Sequence, residues 1–266
     1  MKFMYWNLND RIDLNVISDL LVSHETDYAV FSECRAIDTV AEQALSAIGY
    51  NRITTYSNLN TAHFTKYDTS LCELVHENRH IVAVEVNSVV GPKVLVVGVH
   101  LPSNLRRNPK DLYDMAIEYS RTVIELEKKL VNQNTIVVGD FNFSPFEDPM
   151  VGHKAFHATM NKKKARTITR IVDDAERPFF YNPMWKLYGK YQDRLGSYYY
   201  EGSSSFEYYW HTFDQVIIRP SLIESFKEGE LDILDRTDNY VLADPNDQTK
   251  IHYSDHLPIK FEMSFI

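Results

Sequence analysis

The chain has 266 residues, a net charge of −9 and 44% hydrophobic residues, which is an ordinary composition for a soluble globular protein with a substantial core. With only 2 cysteines and 9 glycines, a disulfide scaffold and a low-complexity chain are excluded. The longest apolar run, residues 94–101, is too short to span a bilayer. No signal-type apolar segment precedes the first predicted strand, so we expect a cytoplasmic protein.

The predicted strands and helices occur in mixed order along the chain. A helix capped by Asn9 or Asp10 and helices over residues 39–48 and 111–130 are predicted from apolar residues at helical spacing. Strands separated by few helices favour an α+β fold, with two packed sheets and helices outside, in a single domain over residues 1–266. Apolar runs predict strands at residues 2–7, 28–32, 61–66, 71–76, 80–86, 93–101, 135–139, 213–218 and 256–263. Residues 143–196, with Pro145, Pro149, Pro178 and Pro183, are expected to form short helices and loops.

Polar residues follow directly on several of these apolar runs. Asp140 and Asn142 are two residues apart at the end of one predicted strand, so their side chains would point to the same side of the sheet. A carboxylate there could accept a proton from water or bind a cation, and the amide could donate to a phosphoryl oxygen. Such groups at strand ends are typical of sites where a metal and a base act on a phosphate.

The other candidate residues each offer one part of such a site. Glu33 is a hard oxygen donor suited to Mg²⁺, and Asn7 offers a neutral oxygen. His256 could donate to a phosphate oxygen, and Asp214 could orient this histidine. Taken singly, these residues are more often a surface acid, a turn former or a core histidine. Their order along the chain is what favours the functional interpretation.

The combined motifs resemble those of the endonuclease/exonuclease/phosphatase superfamily, the DNase I-like group. The resemblance covers residues 2 to about 262, and the order of the Gly-Asp-Phe-Asn and Ser-Asp-His motifs is its most specific part. It implies a four-layer αββα sandwich of two mainly antiparallel sheets and Mg²⁺- or Mn²⁺-dependent cleavage of a P–O bond. The matching motifs are Trp6-Asn7, Ser32-Glu33, Gly98-Val99-His100-Leu101-Pro102-Ser103, Gly139-Asp140-Phe141-Asn142, Phe213-Asp214-Gln215-Val216 and Ser254-Asp255-His256-Leu257-Pro258.

The resemblance also implies which residues hold the metal. Glu33 would be the principal ligand, and Asn7 and Asp255 would lie close to the same ion. The chain departs from the pattern of abasic-site enzymes at Asn9, where those enzymes have an acid. This departure weakens an abasic-site assignment.

The catalytic roles are implied in the same way. Asp140 would align or deprotonate the attacking water, and Asn142 would hold the phosphate and that water. His256, oriented by Asp214, would stabilise the transition state. His100 would contact the phosphate or assist the leaving oxygen. None of the matched motifs places a Ser, Thr or Cys as a nucleophile, so direct attack by water is expected.

The substrate expected first is DNA or RNA, cleaved as by an endonuclease. Basic residues between the motifs could line the cleft, and the tyrosine-rich residues 198–210 could stack on unpaired bases. Sheet packing is the more common role of such a tyrosine-rich run. The candidate substrate-binding residues are Arg106, Arg107, Lys162, Lys163 and Lys164.

Two alternatives stay open at the level of sequence. One is a phosphatase or phosphodiesterase that acts on a small or lipid headgroup phosphate, which the basic loops would recognise. The other is a catalytically silent interaction module, which the complete set of acids, amides and histidines disfavours because buried charges are costly to retain. No membrane contact is expected, since the chain has neither an apolar anchor nor an amphipathic basic helix. No obligate protein partner is predicted.

Overall fold

The computed structural model describes residues 1–57, 60–87, 91–103, 108–190, 196–203 and 207–265. Its longer strands follow the predicted apolar runs closely. The strands are β1 (Lys2–Asn7), β2 (Tyr28–Ser32), β3 (Asn51–Ile53), β4 (Thr61–Thr65), β5 (Cys72–Glu77), β6 (Ile81–Val86), β7 (Val94–His100), β8 (Thr135–Asp140), β9 (Ala158–Thr159), β10 (Thr169–Val172), β11 (Ala175–Pro178), β12 (Phe180–Tyr181), β13 (Tyr198–Tyr199), β14 (Trp210–His211), β15 (Asp214–Ile218), β16 (Asp232–Ile233) and β17 (Ile259–Glu262).

The helices in the described residues are α1 (Leu14–Ser23), α2 (Thr39–Ala47), α3 (Pro109–Leu130), α4 (Asp148–Val151) and α5 (Lys162–Ala165). Short 3₁₀ turns lie at Thr69–Leu71, Pro183–Leu187, Pro220–Leu222 and Glu228–Glu230. Within the part of the chain that the structure describes, no helix has the length and apolar character needed to cross a membrane.

The strands form two large sheets that pack face to face. The six-stranded sheet has the order β16-β17-β1-β2-β4-β3, and the seven-stranded sheet has the order β5-β6-β7-β8-β15-β12-β9. Most neighbours are antiparallel, whereas β1 and β2, β7 and β8, and β9 and β12 run parallel. Two hairpins, β10-β11 and β13-β14, stand outside these sheets.

Successive side chains of β8 point alternately into two different hydrophobic clusters. Ile136 and Val138 belong to the cluster that also holds the buried residues of the six-stranded sheet and of α1 and α2. Val137, between them, packs in a second cluster with Ala116 and Val123 of α3. Because adjacent strand residues point to opposite faces, β8 lies between the inter-sheet core and an outer helix. The predicted four-layer αββα sandwich is confirmed.

Two details differ from the sequence-based expectation. The N-cap of α1 is Asp13, whose side chain accepts from the backbone nitrogens of Asn15 and Val16; the predicted caps Asn9 and Asp10 instead have φ of 48° and 51° in a preceding turn. Residues 143–196, expected to be short helices and loops, also contain β9 to β12. Strands of two to four residues leave too little periodic signal to be recognised in a sequence.

Candidate active site

Strands from both sheets end at one edge of the sandwich and deliver the predicted polar side chains there. In the seven-stranded sheet, Asp140 is paired in register with His100 on one side and with Asp214 on the other. In the six-stranded sheet, Asn7 and Ser32 are paired at the ends of β1 and β2, and Glu33 follows directly. The topology therefore brings together residues that are far apart in sequence.

The backbone at this edge is tightly constrained. A Cβ atom added at Gly139 would lie 1.9 Å from the backbone oxygen of Val99, so only glycine allows β8 to approach β7 this closely just before Asp140. Glu33 and Asn142 have φ of 46° and 55°, a left-handed conformation that is uncommon for residues with a side chain. Such conformations persist where surrounding contacts enforce them, as at many functional sites.

Asp140 lies at the centre of the cluster and is almost completely buried, with 2% of its surface exposed. Its Oδ1 accepts the backbone N–H of Asn142 at 2.8 Å. Its Oδ2 accepts from Asn7 Nδ2 at 3.2 Å and lies 3.8 Å and 4.0 Å from the Nε2 atoms of His100 and His256. Burial raises the pKa of Asp140 above its ordinary value, although the charges of the two histidines oppose this shift.

His256 is held by a second buried acid. Its Nδ1 donates to Asp214 Oδ2 at 2.8 Å, and the Ser197 hydroxyl donates to the same oxygen. Burial alone would lower the pKa of His256, but the charge and hydrogen bond of Asp214, together with the charge of Asp140, raise it to about 10. The imidazole is therefore protonated at neutral pH, and its Nε2–H is directed toward the Asp140 side of the cluster.

Glu33 and His100 are in contact beside Asp140. Glu33 Oε1 lies 3.3 Å from His100 Nε2 and also accepts from Asn7 Nδ2 at 3.1 Å. The hydrogen bond from His100 is the main reason that the pKa of Glu33 falls to about 2. On its other side, His100 Nδ1 contacts the Asn60 amide nitrogen at 2.5 Å. Glu33 is thus a stable anion at the mouth of the cluster.

The Ser-Asp-His motif is anchored to the end of β1. The Ser254 hydroxyl donates to the backbone oxygen of Asn7 at 2.7 Å and accepts the backbone N–H of His256 at 3.2 Å. Trp6 Nε1 donates to the backbone oxygen of His256 at 2.8 Å. These bonds hold the segment before β17 against the end of β1 within the six-stranded sheet, and the hydrogen bond from His256 to Asp214 then links this segment to β15 of the seven-stranded sheet.

The side chains around the cleft fit a hard divalent cation. Glu33, Asp140 and Asp255 all line it, and carboxylate oxygens are the ligands that such ions prefer. Asn7 departs from the prediction, because its Nδ2 faces the carboxylates and its Oδ1 accepts from the backbone of Asn9 at 3.0 Å. A role for its oxygen as a ligand requires the opposite orientation of the amide.

A second geometric group could also hold a metal. Ligand atoms of Asp140, Asp214 and His256 lie within 4.8 Å of one another, all buried. In this group Asp214 Oδ2 accepts from His256 Nδ1 and from the Ser197 hydroxyl, so an ion bound there would replace these hydrogen bonds.

The cleft has a volume of about 480 Å³. Of the predicted catalytic and metal-binding residues, it is lined directly by Glu33, His100, Asp140, Asn142, Asp255 and His256. Asn7 and Asp214 contact these residues from behind through the hydrogen bonds described above. All eight predicted side chains are therefore collected in one place.

The predicted lysines lie elsewhere. Lys162 Nζ pairs with Glu228 Oε1 at 3.1 Å, and Glu228 accepts from the hydroxyl of Tyr181. Tyr181 is in register with Ile218, the last residue of β15, whereas Asp214 is the first. Lys164 lies over the ring of Phe179, and Lys163 belongs to the same short helix α5. The lysine run thus lies toward the far end of the sheet, which corrects the expectation that it lines the cleft.

The other predicted basic residues, Arg106 and Arg107, lie outside the described residues. Conversely, several residues of the site were not predicted from the sequence. Ser197 contacts Asp214, and Asn60 contacts His100. A serine and an asparagine in ordinary loop sequence carry no signal for such roles.

The fold is similar to that of several solved structures. The structure is similar to the 3' phosphatase NExo from Neisseria bound to product DNA hairpin, with a TM-score of 0.62 and 14% identity over 100% of both chains. It is also similar to an AP endonuclease from Archaeoglobus fulgidus, with a TM-score of 0.60 and 14% identity over 99% of both chains.

A third similar structure is an endonuclease/exonuclease/phosphatase family protein from Bacteroides thetaiotaomicron, with a TM-score of 0.59 and 16% identity over 100% of this chain and 98% of the other. At these identities the likeness establishes the fold. No family model matches the sequence, and no curated protein matches it either.

Proposed function

We propose that the protein is a metal-dependent phosphodiester hydrolase that acts on nucleic acid by direct attack of water. The observation that carries this proposal is the convergence in one cleft of a buried carboxylate and two imidazoles, with Asp140 Oδ2 at 3.8 Å and 4.0 Å from His100 and His256. Enzymatic phosphoryl transfer depends mainly on positioning and charge stabilisation. Two of the similar solved structures are a 3' phosphatase bound to product DNA hairpin and an AP endonuclease. Their names support a nucleic-acid substrate for this protein.

Asp140 accepts a proton from the attacking water in the proposed reaction. Its raised pKa makes it a stronger base than an exposed aspartate. Asn142 fixes the carboxylate through its backbone N–H and uses one side-chain N–H on the backbone oxygen of Leu101. An amide carries two such hydrogens, so the second is directed to a phosphoryl oxygen.

His256 stabilises the negative charge that grows on the phosphoryl oxygens as water adds. Its Nε2–H donates to one of these oxygens, while its Nδ1–H remains hydrogen-bonded to Asp214 Oδ2. His100, beside Glu33 and Asp140, donates a proton to the leaving oxygen as the P–O bond breaks. Mg²⁺ or Mn²⁺, held by Glu33 and Asp255 and by the reoriented amide of Asn7, would supply Lewis-acid polarisation of the phosphoryl group.

Substrate profiling tests this proposal. The chelator-treated protein is incubated with and without Mg²⁺ or Mn²⁺ and given plasmid, single-stranded DNA, RNA, a bis-aryl phosphate and inositol phosphates, with the Asp140→Asn protein as the matched control. Metal-dependent cleavage of DNA or RNA that the control lacks supports the proposal. Release of inorganic phosphate from inositol phosphates alone would select a small-molecule phosphatase instead. No turnover of any ester would indicate an interaction module and overturn the enzyme assignment.

A further inference from the structure

One wall of the catalytic cleft is aromatic. Tyr198, Tyr200, Tyr208, His211 and Phe213 line it together with the catalytic groups. They come from the β13-β14 hairpin and the residues on either side of it. Tyr200 is tied into this hairpin, because its backbone N–H donates to the backbone oxygen of Tyr209 at 2.8 Å. The rings are therefore presented by hydrogen-bonded backbone.

The rings of this aromatic wall divide into a packed layer and an exposed layer. Tyr198 lies 5.5 Å from Phe213 and 4.7 Å from His256 between ring centroids, and Phe213 stacks on His211 at 4.6 Å. In contrast, Tyr200 is 43% exposed and Tyr208 is 68% exposed. Large apolar rings that stay exposed inside a concave site mark a surface for a ligand.

The aromatic wall is fixed to the catalytic machinery. Tyr198 and His256 form a backbone bridge between the hairpin and the Ser-Asp-His motif, and Ser197, one residue earlier, donates to Asp214. A planar group stacked on the exposed rings would consequently flank the phosphate that His256 contacts. The cleft volume of about 480 Å³ is in the range of pockets for small ligands, about 300–1,000 Å³, which is the size class of a nucleotide.

The exposed rings also indicate which form of nucleic acid the cleft would bind. Single strands can be held by stacking of their bases on aromatic side chains, whereas the bases of a duplex are already paired and stacked on one another.

We propose that the exposed rings of Tyr200 and Tyr208 stack an unpaired base next to the scissile phosphate, and that single-stranded nucleic acid is the substrate class. This inference rests on the proposed hydrolase function and adds the specificity of the site. The base contributes binding through its face, which every base offers, so the stacking itself selects unpaired over paired nucleotides and not one sequence over another.

The test compares variants of the full chain on a short single-stranded oligonucleotide, as DNA and as RNA, and on the duplex of the same sequence. Wild type is expected to have the higher kcat/KM on the single strand. Tyr200→Leu/Tyr208→Leu should lose about 10-fold to 100-fold there, mainly through KM, because it lacks the stacking rings. Tyr200→Phe/Tyr208→Phe should retain activity within about twofold, since the aromatic faces remain.

Tyr209→Leu is the matched control, because Tyr209 is 48% exposed on the same hairpin and does not belong to the cleft lining; it should match wild type. A fluorescent base analogue in the strand supplies a second readout. Its emission should be quenched on binding the Asp140→Asn protein and stay unquenched when both tyrosines are leucine. Unchanged kcat/KM and quenching in the double leucine variant, or a wild-type preference for duplex, would overturn the stacking inference and leave the hydrolase intact. A wild type that cleaves no ester with either metal would overturn the hydrolase and the inference together.

Discussion

The two ends of strand β15 carry buried charges of opposite character. Asp214, its first residue, is fully buried, and its Oδ1 has no hydrogen-bond partner among the described residues. Arg219, just after its last residue, is also buried, but its guanidinium makes a bidentate pair with Glu127 at 2.7 Å and 2.9 Å.

The far-end arginine is satisfied on its remaining sides as well. It donates to the backbone oxygen of Phe179 at 3.0 Å and lies 3.7 Å from the centroid of the Phe180 ring. A buried charge whose hydrogen-bonding capacity is used within the fold serves the structure. At the cleft end, Asp214 Oδ1 instead keeps capacity for an ion or a proton. The pairing of a buried charge, more than its burial, therefore distinguishes a functional site from a structural ion pair.

The largest effect is expected at Asp140, the buried acid that is paired in register with Asp214 at the cleft end. Asp140→Asn should lower kcat/KM for a phosphodiester by about 10²–10⁴-fold, the typical contribution of a positioned base. The melting temperature should not fall, because the amide keeps the shape of the carboxylate and removes a buried charge beside Asp214. Steady-state kinetics measures the change in kcat/KM, and thermal unfolding measures the melting temperature. Near-normal turnover would remove Asp140 from its proposed role.

The far end should respond in the opposite way. Arg219→Met leaves Glu127 buried without its partner, so the free energy of unfolding should fall by about 3–5 kcal/mol, as measured by urea unfolding, with kcat/KM within about twofold of wild type while the chain is folded. Arg219→Met/Glu127→Leu should recover most of the loss.

The exposed pair between Lys227 and Glu262 is the control for this measurement. Lys227→Met should cost at most about 1 kcal/mol, as exposed ion pairs generally do. If Arg219→Met and Lys227→Met were equally stable, the buried pair of Arg219 with Glu127 would contribute no more to stability than an exposed ion pair.

A further buried titratable group, His63, lies between the two sheets. His63 contacts the Tyr28 hydroxyl at 2.8 Å, and a Cβ atom added at Gly98 on β7 would lie 2.5 Å from its Nε2. Burial lowers its pKa from 6.5 to about 3. Between pH 6.5 and about pH 3, His63 is protonated in the unfolded chain but neutral in the folded protein. The free energy of unfolding therefore falls as the pH is lowered through this range.

Its contribution can be isolated with His63→Asn. The stability advantage of wild type over this variant should shrink by about 1.4 kcal/mol per pH unit on acidification, since the carboxylates common to both proteins cancel. Chemical unfolding at a series of pH values measures the difference. An advantage independent of pH would mean that the folded state does not keep His63 neutral.

Local sequence predicted the parts of the site that local structure determines. Asp140, Glu33 and His256 each adjoin an apolar run, so the order of the runs indicated their shared edge. The partners of these residues depend on tertiary contacts instead. Ser197 reaches Asp214 across 17 residues and Asn60 reaches His100 across 40 residues, and no local pattern records such contacts.

The predicted position of the lysine run failed for a related reason. Lys162, Lys163 and Lys164 lie in sequence between Asn142 and Asp214, two residues of the cleft end. Sequence order does not say which end of a sheet the intervening chain visits. The pairing of β12 with the last residue of β15 takes this segment to the far end.

The smallest effect is therefore expected from these lysines. Changing all three to glutamine removes one exposed pair with Glu228, worth at most about 1 kcal/mol, and should leave kcat/KM for a short oligonucleotide within about twofold of wild type. Because they lie outside the cleft, the dependence of log KM on log salt should also keep its slope. A flattened slope would mean that a longer substrate extends from the cleft to α5, and that the far end of the sandwich takes part in binding after all.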